Sequence, residues 1–594
     1  MKQGKRNGGG KESVRNAEIA KIFHNMADLL EIKGDNPFKV RAYQKAAQNI
    51  ESLTEELSEI ARRGELEEIP GIGKDLAQKI MEMLQTRKLG AFEELGREIP
   101  EGLLELVAIP GLGPKKAKLL YDKMSIQNME ELEKAARADR LKDLPGFGAK
   151  TEENILAGIE LVRRGRERML LGRAFPLAQG IMAKLDAMPE VHQISEAGSL
   201  RRRRETVRDI DILITSSDPE KVMDAFASLL QVREVLAKGG TKASVLTSEG
   251  MQVDLRVVEP DTYGAALAYF TGSKAHNIRL REMANRMGLK ISEYGVFRDR
   301  DQVRVAGRTE EEIYRILGLP YIPPELREDR GEIEAALEGR LPQLVDLGDI
   351  RGDLHCHSRW SDGAHSIREV AEGARKKGYS YMALTDHSQS LGIARGLSPE
   401  LVEKQLQEIA QVNRELKGFT ILPGTEVDIL KDGSLDLPDE ILSRLSVVVA
   451  SVHSSFKQNR EVITARIIKA MRNPYITILG HPTGRLLGER EAYDVDLEKV
   501  IKAARDTGTF LEVNAYPQRL DLDDIHCKRA KELGVTMAIG TDSHTISQLE
   551  QMPFGVAVAR RGWLERKDLL NTLSPDDLHE RLEAQRKAKK GKQK

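Results

Sequence analysis

The stretch GSLRRRRETVRDIDILIT, residues 198–215, decides how the chain is read. Asp209 and Asp211 sit two apart, with Ile210 and Ile212 between and after them. In a strand this spacing puts both carboxylates on one face and the isoleucines on the other. A second stretch, MQVDLRVV (251–258), repeats the alternation: Asp254 and Arg256 point one way, Val253, Leu255 and Val257 the other. Three carboxylates converging from neighbouring strands hold two divalent cations about 4 Å apart, the arrangement used for in-line phosphoryl transfer. A DxD alone reads equally well as the solvated face of an edge strand. The turn upstream shifts that balance. Gly198 lets the backbone approach a phosphate, Ser199 offers a hydroxyl donor, and an arginine of the basic run forks onto phosphate oxygens.

Working outward, 594 residues exceed one hydrophobic core and suggest roughly three to five units. Charged residues make up 31% and aromatics 4%, and the formal net charge is −1. A uniformly basic nucleic-acid binder is therefore excluded, and any DNA contact must come from local patches. Cys356 and Cys527 are too few for a disulfide framework, which fits a reducing cytosol. No apolar run reaches the roughly 18 residues of a spanning helix, so no membrane contact is expected. The basic ends, MKQGKRNGGGKE and KAKKGKQK, read as fraying tails.

Beyond about Ile350 the pattern changes to strand–helix alternation, with about seven apolar runs each followed by a helical segment, the rhythm of an α/β barrel. The runs DLHCH, YMALTDH, ILPGTEVDIL, VVVASVHSS, ITILGHP, FLEVNAY and VTMAIGTDSH almost all end in a histidine or an acid. Strand C-termini carry the chemistry of such barrels, so these side chains would meet at one rim. His355, His357, Asp362, His387, Glu426, His453, His481, Asp542 and His544 form a nitrogen- and oxygen-rich donor set, enough for two or three ions, with manganese or zinc favoured over magnesium. Cys356 alternates away from its flanking histidines and reads as packing. Arg485 and Arg519 are candidates to grip flanking phosphates, and each reads equally well as a surface arginine.

Ahead of the DxD, residues 13–95 show helical periodicity, and a PGxG turn recurs three times, as EIPGIGKDLAQKI, IPGLGPKKAKLL and LPGFGAKTEENI. One such turn only punctuates two helices. Three, each followed by a lysine-bearing segment, suggest backbone N–H groups at Gly71, Gly73, Gly111, Gly113, Gly146 and Gly148 that cradle DNA phosphates without reading sequence.

These turns resemble helix-hairpin-helix motifs. Gly198-Ser199, Arg202, Asp209, Asp211 and Asp254 resemble, position by position, the palm of family X DNA polymerases within the nucleotidyltransferase superfamily. The likeness continues through Tyr269-Phe270-Thr271-Gly272-Ser273, Asn277, Arg281 and Glu293-Tyr294. The resemblance implies that the aspartates bind Mg2+ or Mn2+ and are catalytic, with Asp254 helping to activate the primer. It implies nucleotide contacts for Gly198, Ser199, Arg202, Tyr269, Phe270, Gly272 and Asn277, and template or primer contacts for Arg256, Arg281, Glu293 and Tyr294. Arg208 departs from the vertebrate repair enzyme, which has glycine there. In the small domain Lys79, with Lys39 nearby, falls where some family members carry an abasic-site lyase lysine. Asp75 stands where a further lysine is expected, which weakens that site, and a plain surface lysine is the competing reading. The spacing HxH, Asp, TDHS, GTE, VHS, GHPTGR and TDSH resembles the PHP (polymerase and histidinol phosphatase) domain, whose family ligands match all nine donors and bind Mn2+ and/or Zn2+.

The expected architecture is multidomain α/β. A helical lyase-like domain (1–95) and fingers (96–165) carry the helix-hairpin-helix motifs. An α+β palm (166–260) and thumb (261–322), a linker (323–350), a distorted (βα)7 PHP barrel (351–575) and a basic tail (576–594) follow. The expected function is short-gap-filling DNA synthesis combined with 3′-5′ exonuclease, 3′-end processing or abasic-site endonuclease work in the barrel. The partners are gapped or nicked duplex DNA and dNTPs, and the protein is expected to be monomeric, cytoplasmic and nucleoid-associated in a prokaryote. Two alternatives stand beside it: a template-independent nucleotidyltransferase joined to a small-molecule phosphatase, and a DNA-end scaffold with an inert palm.

Overall fold

The structure is a computed structural model that describes residues 14–592, except 52, 54, 101, 108, 110, 111, 139, 142, 143, 146, 148–151, 153, 154, 157 and 160–167. It separates into two compact units, Met1–Glu167 and Arg168–Lys594. Gly111, Gly146 and Gly148, and the N-terminal basic stretch, lie outside the described residues.

The first unit is helical, with α1 (Asn16–Lys33), α2 (Pro37–Glu51), α3 (Leu57–Arg63), α4 (Lys74–Thr86), α5 (Gly90–Glu98), α6 (Gly102–Val107), α7 (Pro114–Met124) and α8 (Met129–Arg137). One apolar cluster runs through it, with Phe23, Tyr43, Ile80, Leu103 and Leu132 buried. Gly73 caps α4 and Gly113 caps α7, where Pro114 opens the helix with its φ already set. Gly71 adopts φ +79°, the left-handed turn that the PGIG sequence foreshadows.

The second unit opens with β1 (Met169–Leu170), α9 (Leu171–Asp186), β2 (Val191–Glu196), the short α10 (Gly198–Arg201), β3 (Thr206–Val207), β4 (Asp209–Ser216) and α11 (Pro219–Ala227). β5 (Val232–Lys238), β6 (Lys242–Thr247) and β7 (Gln252–Val257) complete a five-stranded mixed sheet of order β2-β4-β7-β6-β5. β4 and β7 run parallel at its centre, and their isoleucines, leucines and valines pack on α9 and α11. Then come α12 (Tyr263–Thr271), α13 (Lys274–Arg286), β8 (Leu289–Ser292), β9 (Gly295–Arg298), β10 (Arg304–Ala306) and α14 (Glu310–Ile316), the strands forming a small antiparallel sheet. Ser273 and Thr309 cap α13 and α14 through their hydroxyls.

The proline- and charge-rich stretch expected as a linker is packed. Ile322, Leu326, Ile333 and Ala336 are buried against Leu280 and Tyr314, around the short helix α15 (Glu332–Leu337). Glu332 accepts from buried His276 at 2.7 Å, and Val345 and Ile350 enter the core of the following domain. Proline and charge here read as a linker with one short helix; the helix is present, but the stretch is packed because its charges are matched by buried partners, which periodicity does not reveal.

The remainder alternates strand and helix: β11 (Gly352–Cys356), α16 (Ile367–Lys376), β12 (Tyr381–Leu384), α17 (Pro399–Glu415), β13 (Thr420–Asp428), α18 (Asp439–Leu442), β14 (Val447–Ser451), α19 (Arg460–Met471), β15 (Ile478–Leu479), α20 (Leu497–Thr507), β16 (Phe510–Asn514), α21 (Asp524–Glu532), β17 (Met537–Gly540) and α22 (Met552–Arg561). The seven strands are parallel in sequence order, and a bridge between Cys356 and Ser543 brings the last beside the first, nearly closing a barrel. Cys356 is fully buried in the core. The C-terminus departs from the expected fraying tail. Pro575–Lys592 forms a helix, α23, that buries Leu578 and Leu582 against Leu354, Val449 and Phe510. Its Gln585, Arg586 and Lys589 donate to backbone carbonyls of Thr477, Ser443 and Ile476, just ahead of β15 and β14, so the helix closes the N-terminal mouth of the barrel.

Candidate active sites

In the palm sheet Asp211 lies opposite Asp254, and Asp209 opposite Gln252. Side chains two apart share a face, so the three aspartates leave the two central strands on one side. Burial, then Asp209 and Asp254, pushes the Asp211 carboxyl up to about 7, and Asp209 is raised by burial and by Asp254. Half-buried carboxylates that repel one another are relieved by a cation. Asp254 is steadied by Gln252 Nε2 at 2.7 Å and by Lys242 Nζ at 3.8 Å. Gly198 has φ +62°, and a Cβ there would stand 2.4 Å from Asp211 Oδ2. Only glycine lets the turn close on that carboxylate.

The arginines of the basic run are engaged within the fold. Arg201 forks onto Glu310 at 2.9 and 2.6 Å, and Arg203 pairs with Glu196 at 2.6 Å. Arg202 donates to Glu328 at 3.1 Å and to the Thr271 carbonyl at 2.5 Å, while Arg204 lies 3.9 Å from Glu328. Ser199 is half-buried and Arg208 exposed. Tyr269 is 37% exposed and meets Phe270 edge-on, with Arg256 stacked 4.4 Å over the Phe270 ring. Asn277 Nδ2 donates to the Tyr269 carbonyl, and Gly272 leaves 3.2 Å between a would-be Cβ and Arg202 Nη1. Exposed Arg281 lines a cavity of about 470 Å3 with Lys290 and Phe297. Glu293 and the exposed Tyr294 form the turn between β8 and β9.

At the barrel rim the donors gather around Glu426. His387 Nδ1 and His481 Nε2 each lie 2.9 Å from its carboxylate, with His453 Nε2 at 3.2 Å and His355 Nε2 at 3.4 Å. His357 Nε2 is 3.2 Å from Asp542, and Asp362 lies 3.3 Å from His544 and 3.6 Å from His387. Although burial opposes its ionisation, His453, His387 and His355 hold Glu426 well below the usual carboxylate range. Burial, with His544 and His387 beside it, lowers His357 to about 3.

Three overlapping groups have ligand atoms within 4.8 Å of one another: His357, Asp362, His387 and His544; His355, His357, Glu426 and Asp542; and His387, Glu426 and His453. Among the described residues, His355 Nε2, both ring nitrogens of His357, His387 Nδ1 and His481 Nδ1 are buried and make no aligned hydrogen bond, although carboxylate oxygens approach several of them. Unsatisfied buried nitrogens interleaved with carboxylates fit divalent metals of the nitrogen-preferring kind. The palm aspartates do not close to that spacing among the described residues.

Sequence reasoning passed over two carboxylates beneath these donors. Glu512 accepts from His355 Nδ1 at 2.6 Å and from the His481 backbone N–H at 2.6 Å. Asp428 meets His453 Nδ1 at 2.6 Å. Each fixes one ring nitrogen and leaves Nε2 for a ligand role. The available signal was their place in the strands themselves, FLEVN and GTEVD, where alternation turns them inward. Arg519 stands 3.4 Å from Asp542, and its buried Nη1 has no hydrogen-bond partner among the described residues. Arg485 is instead consumed by Glu205 and by the carbonyls of Arg519 and Leu520.

In the first unit Lys79 Nζ pairs with Asp75 at 2.5 Å and lies 6.0 Å over the Tyr43 ring, while Lys39 pairs with Asp35 at 3.3 Å. No helix among the described residues is long and apolar enough to cross a membrane.

Comparison with known proteins agrees with this layout. Residues 14–89 match the helix-hairpin-helix domain and 103–160 the SAM-like helix-hairpin-helix tandem. Residues 266–328 match the DNA polymerase beta thumb, and 353–516 the PHP domain. A probable phosphatase of Thermoanaerobacter sp. is 34% identical over 231 residues, 37% of this chain and 89% of that protein. Rat DNA polymerase lambda is 27% identical over 345 residues, 53% of this chain and 56% of that protein. The DNA polymerase/3′-5′ exonuclease PolX of Bacillus subtilis is 43% identical over 563 residues, 94% of this chain and 98% of that protein. A likeness at that level over nearly the whole of both chains makes this chain a member of the PolX family of DNA polymerase/3′-5′ exonucleases.

Proposed function

We propose that the chain fills short gaps in duplex DNA with its palm and trims 3′ ends with its barrel, as a monomer in the bacterial cytoplasm near the nucleoid. The observation that carries this reading is two separate acid-bearing centres in one unit, one where β4 pairs with β7 and one around Glu426. In the palm, Asp209, Asp211 and Asp254 would hold Mg2+ or Mn2+. At the barrel rim the nine histidine and carboxylate donors would hold two or three Mn2+ or Zn2+ ions. Cations bound there supply Lewis-acid neutralisation of phosphoryl oxygens and lower the pKa of a hydroxyl or water nucleophile.

The chain's own groups do the positioning. The Gly198-Ser199 turn and Arg202 Nη2 hold the triphosphate of a dNTP, and Tyr269 and Phe270 border its sugar. Asp254 is the carboxylate set to receive the proton of the primer 3′-OH. Arg256, Arg281, Glu293 and Tyr294 face template and primer, and the glycine turns of the first unit bind duplex backbone. At the barrel, Glu512 and Asp428 orient His355 and His453, and Arg519 Nη1 binds a phosphate oxygen of the strand being cut. Lys79 as a lyase nucleophile is tested by borohydride trapping on an abasic substrate, with Lys79→Ala as the control.

Metal analysis of the purified protein, paired with primer extension on gapped DNA and 3′-end degradation, tests the main reading. Asp209→Ala or Asp254→Ala is expected to lower extension at least about a hundredfold and spare degradation. His355→Ala with His357→Ala is expected to do the reverse. Loss of both activities from either change, in folded variants, overturns the two-centre reading. Incorporation that ignores the template favours the untemplated alternative.

A further inference from the structure

Arg202 is the arginine assigned above to the triphosphate, and its surroundings reach well outside the palm. Its Nε donates to Glu328 Oε1 at 3.1 Å and its Nη1 to the Thr271 carbonyl at 2.5 Å. Nη2 makes no hydrogen bond among the described residues. The Arg202 carbonyl in turn accepts from Arg561 Nη1 at 2.7 Å, and the same Nη1 donates to Glu328 at 3.0 Å. Arg561 ends barrel helix α22, and its side chain is 2% exposed. Its second arm donates to Asp524 at 2.6 Å, which also accepts from Arg330 at 2.9 Å.

A buried guanidinium between two carboxylates has no cheaper place to go, because breaking one partner leaves the others uncompensated. The palm turn is pinned a second time: Glu205, at the end of the same arginine run, accepts from barrel residue Arg485 at 2.5 Å. Apolar packing closes the joint. Phe175 of α9 meets Phe554 of α22 edge-on at 6.2 Å, and a Cβ on Gly172 would stand 2.3 Å from Pro517.

We infer that Glu328 and Arg561 are positioning residues for nucleotide addition: the exonuclease barrel, through Arg561 and Glu328, sets the arginine that grips the incoming triphosphate. The polymerase site is therefore completed by the barrel, although the two centres carry out different reactions. Arg202 needs this support because a free arginine side chain carries several rotatable bonds. Holding two of its nitrogens orders the third before the nucleotide binds, so binding carries a smaller ordering cost. The inference rests on the reading of Arg202 as a triphosphate contact.

The test uses the full chain, a one-nucleotide-gapped duplex and dTTP, with steady-state extension, 3′-end degradation and thermal stability measured on each variant. Arg561→Ala and the isosteric Glu328→Gln are each expected to raise the KM for dTTP roughly tenfold, with kcat held within about twofold. Degradation should be unchanged, because neither residue is in the barrel's donor set. Arg561→Lys should recover part of the loss. The pair Arg202→Ala with Arg561→Ala should be no worse than Arg202→Ala alone, the mark of two groups acting through one. Should Arg561→Ala fail to fold, Glu328→Gln and Arg561→Lys decide. If Arg202→Ala raises KM while Glu328→Gln leaves it within twofold, the positioning role is overturned and the triphosphate reading stands. If Arg202→Ala itself leaves KM unchanged, that reading falls and takes this inference with it. A rise in KM that comes only with a matching loss of degradation marks a structural joint and overturns the proposal.

Discussion

Glu512 touches none of the nine rim donors through a shared ligand position, yet two of them depend on it. It accepts from His355 Nδ1 and from the His481 backbone, and Asn514 Nδ2 lies 3.3 Å away. A buried carboxylate on Nδ1 fixes the tautomer, raises the basicity of Nε2 and holds the ring plane. Glu512→Gln keeps the shape and removes the charge. We expect metal affinity at the rim to fall about 10- to 100-fold, read by titration calorimetry or by metal retained after dialysis, with the fold unchanged. Unchanged affinity would show that the ring is oriented by packing alone. Gly198 is the palm counterpart at this scale. A methyl group there meets Asp211 Oδ2 at 2.4 Å in a backbone already at φ +62°, so Gly198→Ala should lose primer extension before it loses stability. Extension at the wild-type rate would mean that the turn tolerates a side chain.

At the scale of elements, parallel pairing of β4 with β7 turns two separate sequence stretches into one acidic face, since only this register sets Asp211 against Asp254. The barrel strands converge in the same way, each delivering its last residues to one rim while the opposite mouth is left to stability. Helix α23 serves that mouth. Leu578 is fully buried beneath it among Leu354, Tyr381 and Phe510. Leu578→Ala should cost about 3 kcal/mol in denaturant unfolding of the second unit. Degradation per folded molecule should stay the same, because the substitution lies away from the rim. A loss of activity without a loss of stability would instead link the helix to catalysis.

At the scale of the molecule, the second unit is tied together by buried carboxylates. Glu310 receives Arg201 and Arg327, and Glu328 receives Arg202 and Arg561. Burial opposes their ionisation, but Arg327 and Arg201 hold Glu310 at about 2, and Arg561 and Arg202 hold Glu328 at about 2, against an ordinary 4.5. A carboxylate lowered on folding binds fewer protons in the native state than in the unfolded one across that interval. Its stabilisation is therefore complete above pH 4.5 and is lost as pH falls toward about 2. Each contributes on the order of 3 kcal/mol at neutral pH. Unfolding free energy of the second unit should decline steeply over this window, and Glu328→Gln should flatten the decline while lowering the neutral-pH value. An acid limb of the same slope in wild type and variant would remove Glu328 from the account.

The family, the multidomain α/β class and the paired activities were legible in the sequence because their signals are local. Alternation of Asp209, Ile210 and Asp211, strand ends such as TDH and TDSH, and the PGIG turn each carry their chemistry within a few residues, where backbone periodicity alone sets direction. The tertiary structure decided what those groups face. Glu328 meets Arg202 across 126 positions and Arg561 across 233, Glu512 meets His355 across 157, and the supposed linker and tail turn out to be packed. Charge and proline mark a residue as costly to bury, but only the fold supplies the partner that offsets the cost, and no periodicity in the chain encodes that pairing.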